Sequence, residues 1–150
     1  MKSILVVFSF FVLCACAQDG PNIKQIENMQ FFIDNKKNSE VIEIEPGLQY
    51  SVLKKGDISA PSPNLNNTIS AHFHGTLTNG KVFWSSLDSE PLEIELSKLI
   101  IGCQKTISLM KEGDKWMVFI DPAMAYGEEG RPGIPSNSIL IFEIELIKVS

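Results

Sequence analysis

The sequence predicts an α+β domain in which a twisted antiparallel β-sheet wraps around one short α-helix. Several segments alternate apolar and polar residues with the two-residue period of a strand, the clearest being Leu-Glu-Ile-Glu-Leu at 92–96. One stretch within this series, from Lys98 to about Met110, instead places apolar residues at helical spacing. Strands before and after a single short helix are typical of a sheet packed on that helix.

A second helix is predicted ahead of the sheet, over residues 23–37. Its apolar residues recur at helical spacing, at Ile26, Met29 and Ile33, with Ile23 and Phe32 beside them. Two interpretations stay open for this helix. It either packs on its own domain as a spacer or serves as a short dimerisation arm.

The strands are predicted from the alternation and from the residues that interrupt it. We expect strands at 48–53, 68–77, 81–84, 92–96, 115–120 and 139–149, with 41–45 a strand or extended linker. Residues 57–67 are rich in Pro, Ser and Asn and predict a loop. Ser97 is the expected N-cap of the short helix, and Gly113 is the expected residue at its C-terminal end.

The last two strands are joined by a loop longer than a tight hairpin turn requires. Residues 124–135 read Met-Ala-Tyr-Gly-Glu-Glu-Gly-Arg-Pro-Gly-Ile-Pro, with glycines and prolines throughout. Loops carried on a rigid sheet are common positions for binding groups. Tyr126, Ile134 and the nearby strand residue Phe142 are therefore candidate site residues.

Composition and motifs exclude several classes of function. The chain has 150 residues, a net charge of −5 and no block of Lys or Arg, which argues against a nucleic-acid partner. His72 and His74 share one face of a strand but have no third ligand at metal spacing. No nucleophile elbow surrounds Ser85 or Ser86, and residues 127–130 lack the lysine of a phosphate loop. We expect neither a metal nor a cofactor.

The N-terminus predicts export. Residues 4–13 form an apolar run of signal-peptide length, too short to cross a bilayer as a helix. Leu-Cys-Ala-Cys at 13–16 resembles a bacterial lipobox, in which Cys16 would be the lipid anchor. Ala-Cys-Ala at 15–17 also allows cleavage to a soluble, secreted protein. We expect a lipoprotein signal peptide at 1–15, a tether at 16–22, a short helix and linker at 23–46, and one domain at 47–150.

Three blocks in the domain resemble FKBP-type peptidyl-prolyl isomerases. They are 72–86, then 102–110 followed by Gly113, and then Ala-Tyr-Gly at 125–127 with Gly130 and Ile-Pro at 134–135. The blocks stand in family order, and the resemblance covers roughly residues 47–150. Residues 32–35 and 46–50 also resemble the entry into the catalytic domain of macrophage-infectivity-potentiator-like members, here with a shortened N-terminal arm.

The resemblance implies the same fold and a cleft that isomerises X-Pro bonds without a cofactor. It implies catalytic roles for Tyr126, Phe83, Phe142 and Ile100, with the Tyr126 hydroxyl and Ile100 N–H as donors to substrate carbonyls. It implies substrate binding by Phe73, Trp84, Leu99, Cys103 and Ile134. Three positions depart from the family, which usually has Tyr at 73, Asp at 84 and Trp at 103. These departures predict reduced activity.

The function expected from the sequence is a peptidyl-prolyl cis–trans isomerase that assists folding of exported proteins. The alternative is an FKBP-fold chaperone or proline-peptide-binding lipoprotein with little isomerase activity. Expected partners are proline-containing polypeptides and, through Cys16, a lipid membrane. The expected location is the bacterial envelope, as an outer-membrane lipoprotein or in the periplasm, and the expected state is a monomer, with a weak dimer as the alternative.

Overall fold

The computed structural model of the protein describes residues 22–150, so the predicted signal peptide, most of the tether and the anchor Cys16 lie outside the described residues. Two helices and seven strands are present in this range. They are α1 (Ile23–Asn35), β1 (Ile42–Glu45), β2 (Leu48–Lys54), β3 (Thr68–Leu77), β4 (Val82–Ser85), β5 (Leu92–Glu95), α2 (Ile101–Ile107), β6 (Lys115–Ile120) and β7 (Leu140–Val149). No helix of this range is long and apolar enough to cross a membrane.

The seven strands form one antiparallel sheet. Its spatial order is β1-β2-β6-β7-β3, with β4 and β5 both beside β3. β5 pairs with the first part of β3, at Thr68–Ala71, and β4 pairs with the part that follows, at His74–Thr76. The predicted α+β class is confirmed, and β3 and β7 alternate buried and partly exposed residues as expected.

The helix α2 packs closely on one face of the sheet. Cys103 and Ile107 on its inner side are buried in the core. Gly102 brings the backbone of α2 against β6, because a Cβ at this position would lie 2.4 Å from Cγ2 of Ile120. The core that forms around this contact includes the buried residues Leu48, Ile69, Leu96, Met110, Val118, Leu140, Ile144 and Leu146.

The predicted ends of α2 are wrong at both sides. A 3-10 turn occupies Leu96–Lys98, residues 99 and 100 are extended, and the helix begins only at Ile101. The Ser97 hydroxyl donates to the Glu95 carboxylate, so it does not cap the helix. The helix ends at Ile107, and Gly113 lies in a later turn with φ of +85°. Leu96 is fully buried, and its burial requires the chain to turn before the helix can begin.

The helix α1 packs on its own domain with a face other than the predicted stripe. Ile26, Met29 and Ile33 are 53%, 60% and 55% exposed, while Asn28 and Phe32 are buried. Phe31 lies 6.1 Å from Phe119 of β6, measured between ring centres. The i, i+3, i+7 spacing identified a helix correctly, but the residues that carry the spacing are more than half exposed and are not part of the core.

Gln49 of β2 joins α1 to the sheet. Its fully buried amide donates to the Phe32 carbonyl and to the Glu43 carboxylate, each at 3.0 Å. Its carbonyl oxygen accepts from Asn35 Nδ2, also at 3.0 Å. Every polar atom of this buried side chain therefore has a partner, as buried amides require.

We expect Gln49→Met to destabilise the protein by about 1–3 kcal/mol, because it leaves the Asn35 amide without its partner and the Phe32 carbonyl with the Lys36 N–H as its one remaining donor. The measurement is the free energy of unfolding in urea. The control is Gln30→Met on the exposed side of α1, which should change the same quantity by less than about 0.5 kcal/mol. Equal values for both variants would contradict an anchoring role for Gln49.

Candidate active site

A cleft of about 500 Å³ opens between α2, the β3–β4–β7 part of the sheet and the β6–β7 loop (residues 121–139). All nine residues predicted for the site line it, namely Phe73, Phe83, Trp84, Leu99, Ile100, Cys103, Tyr126, Ile134 and Phe142. Four lining residues were missed, namely Leu92, Lys98, Arg131 and Pro132. The cleft thus combines a mostly apolar lining with a few polar groups, as small-ligand sites usually do.

Aromatic rings from three strands form the wall of the cleft. Phe83 and Phe142 meet edge to face, with ring centres 5.4 Å apart and planes at 89°. Phe73 lies 6.2 Å from Phe142, again edge to face. Such arrangements are favoured by the charge distribution of the rings. The three rings therefore form one contiguous aromatic surface.

Gly75 makes this ring packing possible. A Cβ at Gly75 would lie 2.5 Å from Cζ of Phe83 and 2.8 Å from Cε1 of Phe142. Both rings thus occupy the space that a side chain at position 75 would fill. The prediction from sequence missed this residue, although a glycine within a strand pattern indicates close approach of another group.

Trp84 and Cys103 lie at opposite depths of the cleft. Trp84 is 40% exposed, and its ring centre is 5.8 Å from that of Phe73, so the indole lies at the rim. Cys103 is only 2% exposed and faces the cleft from α2. Burial raises the pKa of the Cys103 thiol from 9.0 to about 12, so this group is a neutral, apolar surface near neutral pH.

The β6–β7 loop holds Tyr126 through its own backbone. The Gly127 N–H donates to the Pro122 carbonyl at 2.8 Å, and the Gly130 N–H donates to the Tyr126 carbonyl at 3.0 Å. Arg131 and Ile134 form an isolated β-bridge, and the side chain of Ile134 is buried. The loop is thus internally bonded on both sides of Tyr126.

A contact from α1 completes the base of this loop. The Asn137 N–H donates to the Gly127 carbonyl at 2.8 Å and so joins the end of the loop to the residue that follows Tyr126. The buried amide of Asn28 donates to the Asn137 carbonyl at 3.0 Å. The first helix therefore bonds directly to the segment that carries Tyr126.

Two hydrogen-bond donors remain available in the cleft. The Tyr126 hydroxyl accepts from Nη1 of Arg131 at 2.8 Å, which leaves its own proton free to be donated. The Arg131 guanidinium also lies 4.9 Å from the centre of the tyrosine ring. The backbone N–H of Ile100 donates to no acceptor within residues 22–150. Both groups can donate to an acceptor on a bound ligand.

A family model for FKBP-type peptidyl-prolyl cis-trans isomerase matches residues 60–147. The chain belongs to this family. The resemblance predicted from three sequence blocks is confirmed. The chain is 40% identical over 121 residues to the peptidyl-prolyl cis-trans isomerase Mip of Coxiella burnetii, and the match covers 79% of this chain and 52% of that protein. It is 36% identical over 126 residues to the isomerase FkpA of Aeromonas hydrophila, covering 83% and 46% respectively.

Solved structures agree with this membership of the FKBP family. The peptidyl-prolyl cis-trans isomerase of Pseudomonas syringae pv. tomato superposes with a TM-score of 0.80 at 31% identity, covering 88% of this chain and 98% of that one. FkpA of Escherichia coli superposes with a TM-score of 0.78 at 33% identity, covering 85% and 59%. The chain spans about half the length of the first curated relatives it matches.

The two histidines of this FKBP-family chain lie on β3 and bond to the segment at and after β4. Nδ1 of His72 is 3.1 Å from the Ser86 carbonyl oxygen, and Nδ1 of His74 is 3.0 Å from the Ser85 hydroxyl. Neither histidine lines the cleft. Within residues 22–150 no group of three or more His, Cys, Asp or Glu residues could hold a metal ion.

Burial of Cys103 makes stability sensitive to alkaline pH. Because the folded-state pKa is raised, the thiol contributes stability below pH 9, and this contribution is lost as pH rises towards 12. We expect the unfolding free energy of the wild type to fall faster above pH 9 than that of Cys103→Ala, by up to about 1 kcal/mol per pH unit. Urea unfolding with reductant at several pH values measures both. Parallel curves for the two proteins would show that Cys103 does not titrate in this way.

Proposed function

We propose that the protein is a peptidyl-prolyl cis–trans isomerase that acts on polypeptides through the cleft around Tyr126. The observation that carries the proposal is the combination of edge-to-face aromatic walls with two available donors, Tyr126 and Ile100. The isomerase names of its relatives support it as well.

An apolar cleft is suited to this reaction. Rotation of a peptide bond is slow because amide resonance must be broken, at a cost of about 18–20 kcal/mol. The twisted amide has less charge separation than the planar amide, so it loses less hydration free energy when it leaves water. Surroundings that stabilise the twisted form more than the planar form lower the barrier. The reaction requires no acid, base or metal.

The proposed roles follow from the position of each side chain in the cleft. The proline ring would lie over Cys103, between the walls formed by Phe83 and Phe142. Substrate carbonyls would accept from the Tyr126 hydroxyl and the Ile100 N–H. Four residues would complete the apolar surroundings, namely Phe73, Trp84, Leu99 and Ile134. Cys103 is a small side chain that offers the ring few contacts, so we expect modest turnover.

The proposed setting is the folding of exported proteins at a bacterial envelope. The lipobox-like sequence at 13–16 supports a lipid anchor at Cys16. An isomerase held at a membrane in this way would act on chains that fold after export. The cleft itself requires only an accessible X-Pro segment, so the anchor would determine where the enzyme acts and not which bond it rotates.

Tyr126→Phe removes one donor from the cleft. A net hydrogen bond contributes roughly 0.5–1.5 kcal/mol, so kcat/KM for short X-Pro peptides should fall about tenfold or less. A protease-coupled cis–trans assay measures this, and urea unfolding should show nearly unchanged stability. Tyr50→Phe is the matched control, because Tyr50 stacks on Trp116 away from the cleft.

Two results would contradict the assignment. The proposed function would be wrong if the folded wild type bound proline peptides without accelerating their isomerisation. A Tyr126→Phe protein that is less stable but fully active would instead assign Tyr126 to loop packing alone.

The proposed anchor has a separate test. Wild type expressed in a bacterial host should partition into the detergent phase of a Triton X-114 separation, and Cys16→Ser should partition into the aqueous phase or remain unprocessed. Cys14→Ser is the matched control, because Cys14 precedes the proposed cleavage site. Wild type in the aqueous phase would contradict lipidation and favour cleavage to a soluble form.

A further inference from the structure

The charged residues around the cleft have the opposite sign to the protein as a whole. The chain carries 18 acidic and 13 basic residues, for a net charge of −5. The residues that line the cleft nevertheless include two cations, Lys98 and Arg131, and no carboxylate. A charged group on a bound polypeptide would therefore meet a locally positive surface.

Arg131 has unused capacity to bind an anion. It donates through Nη1 to the Tyr126 hydroxyl, and within residues 22–150 no other acceptor for its side chain is present. No carboxylate oxygen of this range lies within 4.0 Å of it, so the neighbouring Glu128 and Glu129 do not neutralise it at contact distance. A guanidinium has five N–H donors in a fixed fork that matches a carboxylate.

The guanidinium is also held in place before any ligand arrives. It lies over the Tyr126 ring, and the Arg131 backbone is paired with that of Ile134. A side chain that is already ordered loses less conformational freedom when it binds. Lys98 is a weaker candidate, because its ammonium lies 4.0 Å from the Glu95 carboxylate, which partly neutralises it.

Arg131 lies next to the proposed reaction centre. It is bonded to the hydroxyl that would donate to a substrate carbonyl, so the residues flanking a bound proline would come closest to it. A carboxylate there would be attracted by the guanidinium and would meet no acidic lining residue. A lysine there would be repelled by Arg131 and Lys98. Selectivity arises from both effects.

We propose that the cleft favours proline segments that carry an acidic residue beside the proline, and that Arg131 is the residue that binds this carboxylate. The inference rests on the proposed isomerase function of the same cleft and specifies its substrate class. Arg131 is exposed, so its effect is that of a surface ion pair, which corresponds to a preference of about two- to fivefold.

The test uses peptides that differ only at one residue, Glu, Gln or Lys, placed directly before the proline in one series and directly after it in another. Exchange NMR gives kcat/KM without a coupling protease. The proteins are wild type, Arg131→Gln, Arg131→Lys and the control Lys55→Gln, which removes one positive charge from an exposed residue outside the cleft. Both peptides are measured with the same protein. The ratio of kcat/KM for Glu to that for Gln is therefore unaffected by any change at Tyr126 that alters both rates equally.

We expect wild type and Lys55→Gln to favour Glu over Gln in at least one series, with a ratio that falls as salt is added. Arg131→Gln should bring the ratio close to one, and Arg131→Lys should keep part of it. A wild-type ratio near one in both series would overturn the inference, and so would a ratio that survives Arg131→Gln.

The proposed function can fail separately. If wild type accelerates none of these peptides, isomerase activity is excluded, and the ratio of Glu to Gln dissociation constants from NMR titration decides the inference. A ratio of dissociation constants that favours Glu and depends on Arg131 would support acid-directed binding without catalysis. Equal constants would overturn it.

Discussion

The contact of Phe83 and Phe142 over the bare backbone of Gly75 is the feature on which the cleft depends. Two strands that flank β3 each contribute one ring, and the rings can meet only because β3 has no side chain between them. A continuous apolar wall follows from this contact. The β6–β7 loop and the start of α2 then add donors to an apolar surface that already exists.

The strands were predictable because their residues experience two different environments. β3 and β7 each have one face on the core and one partly exposed face, so burial imposes a period of two on the sequence. The start of α2 was not predictable in the same way. Ser97 is a good capping residue by type, but the burial of Leu96 turns the chain there and moves the helix start to Ile101.

The site was predicted only where a family motif named its residues. The nine residues that the resemblance indicated do meet in one cleft, yet no periodicity in the sequence would bring Phe73, Cys103 and Ile134 together. Arg131 and Lys98 were missed for a physical reason. A charge in a polar loop is usually solvated, and only the folded loop brings the guanidinium onto the ring of Tyr126. The net charge of −5 describes the whole chain and gave no indication that the residues lining the cleft are locally positive.

The bond from Asn28 to Asn137 affects how this protein can be divided. The family match begins at residue 60, and the predicted catalytic domain begins at 47. A fragment cut at either position would lack α1 and with it the amide that bonds to the base of the Tyr126 loop. A fragment that keeps this hydrogen bond must therefore include Asn28, so the boundary of the family match does not coincide with the last contact made by the Tyr126 loop.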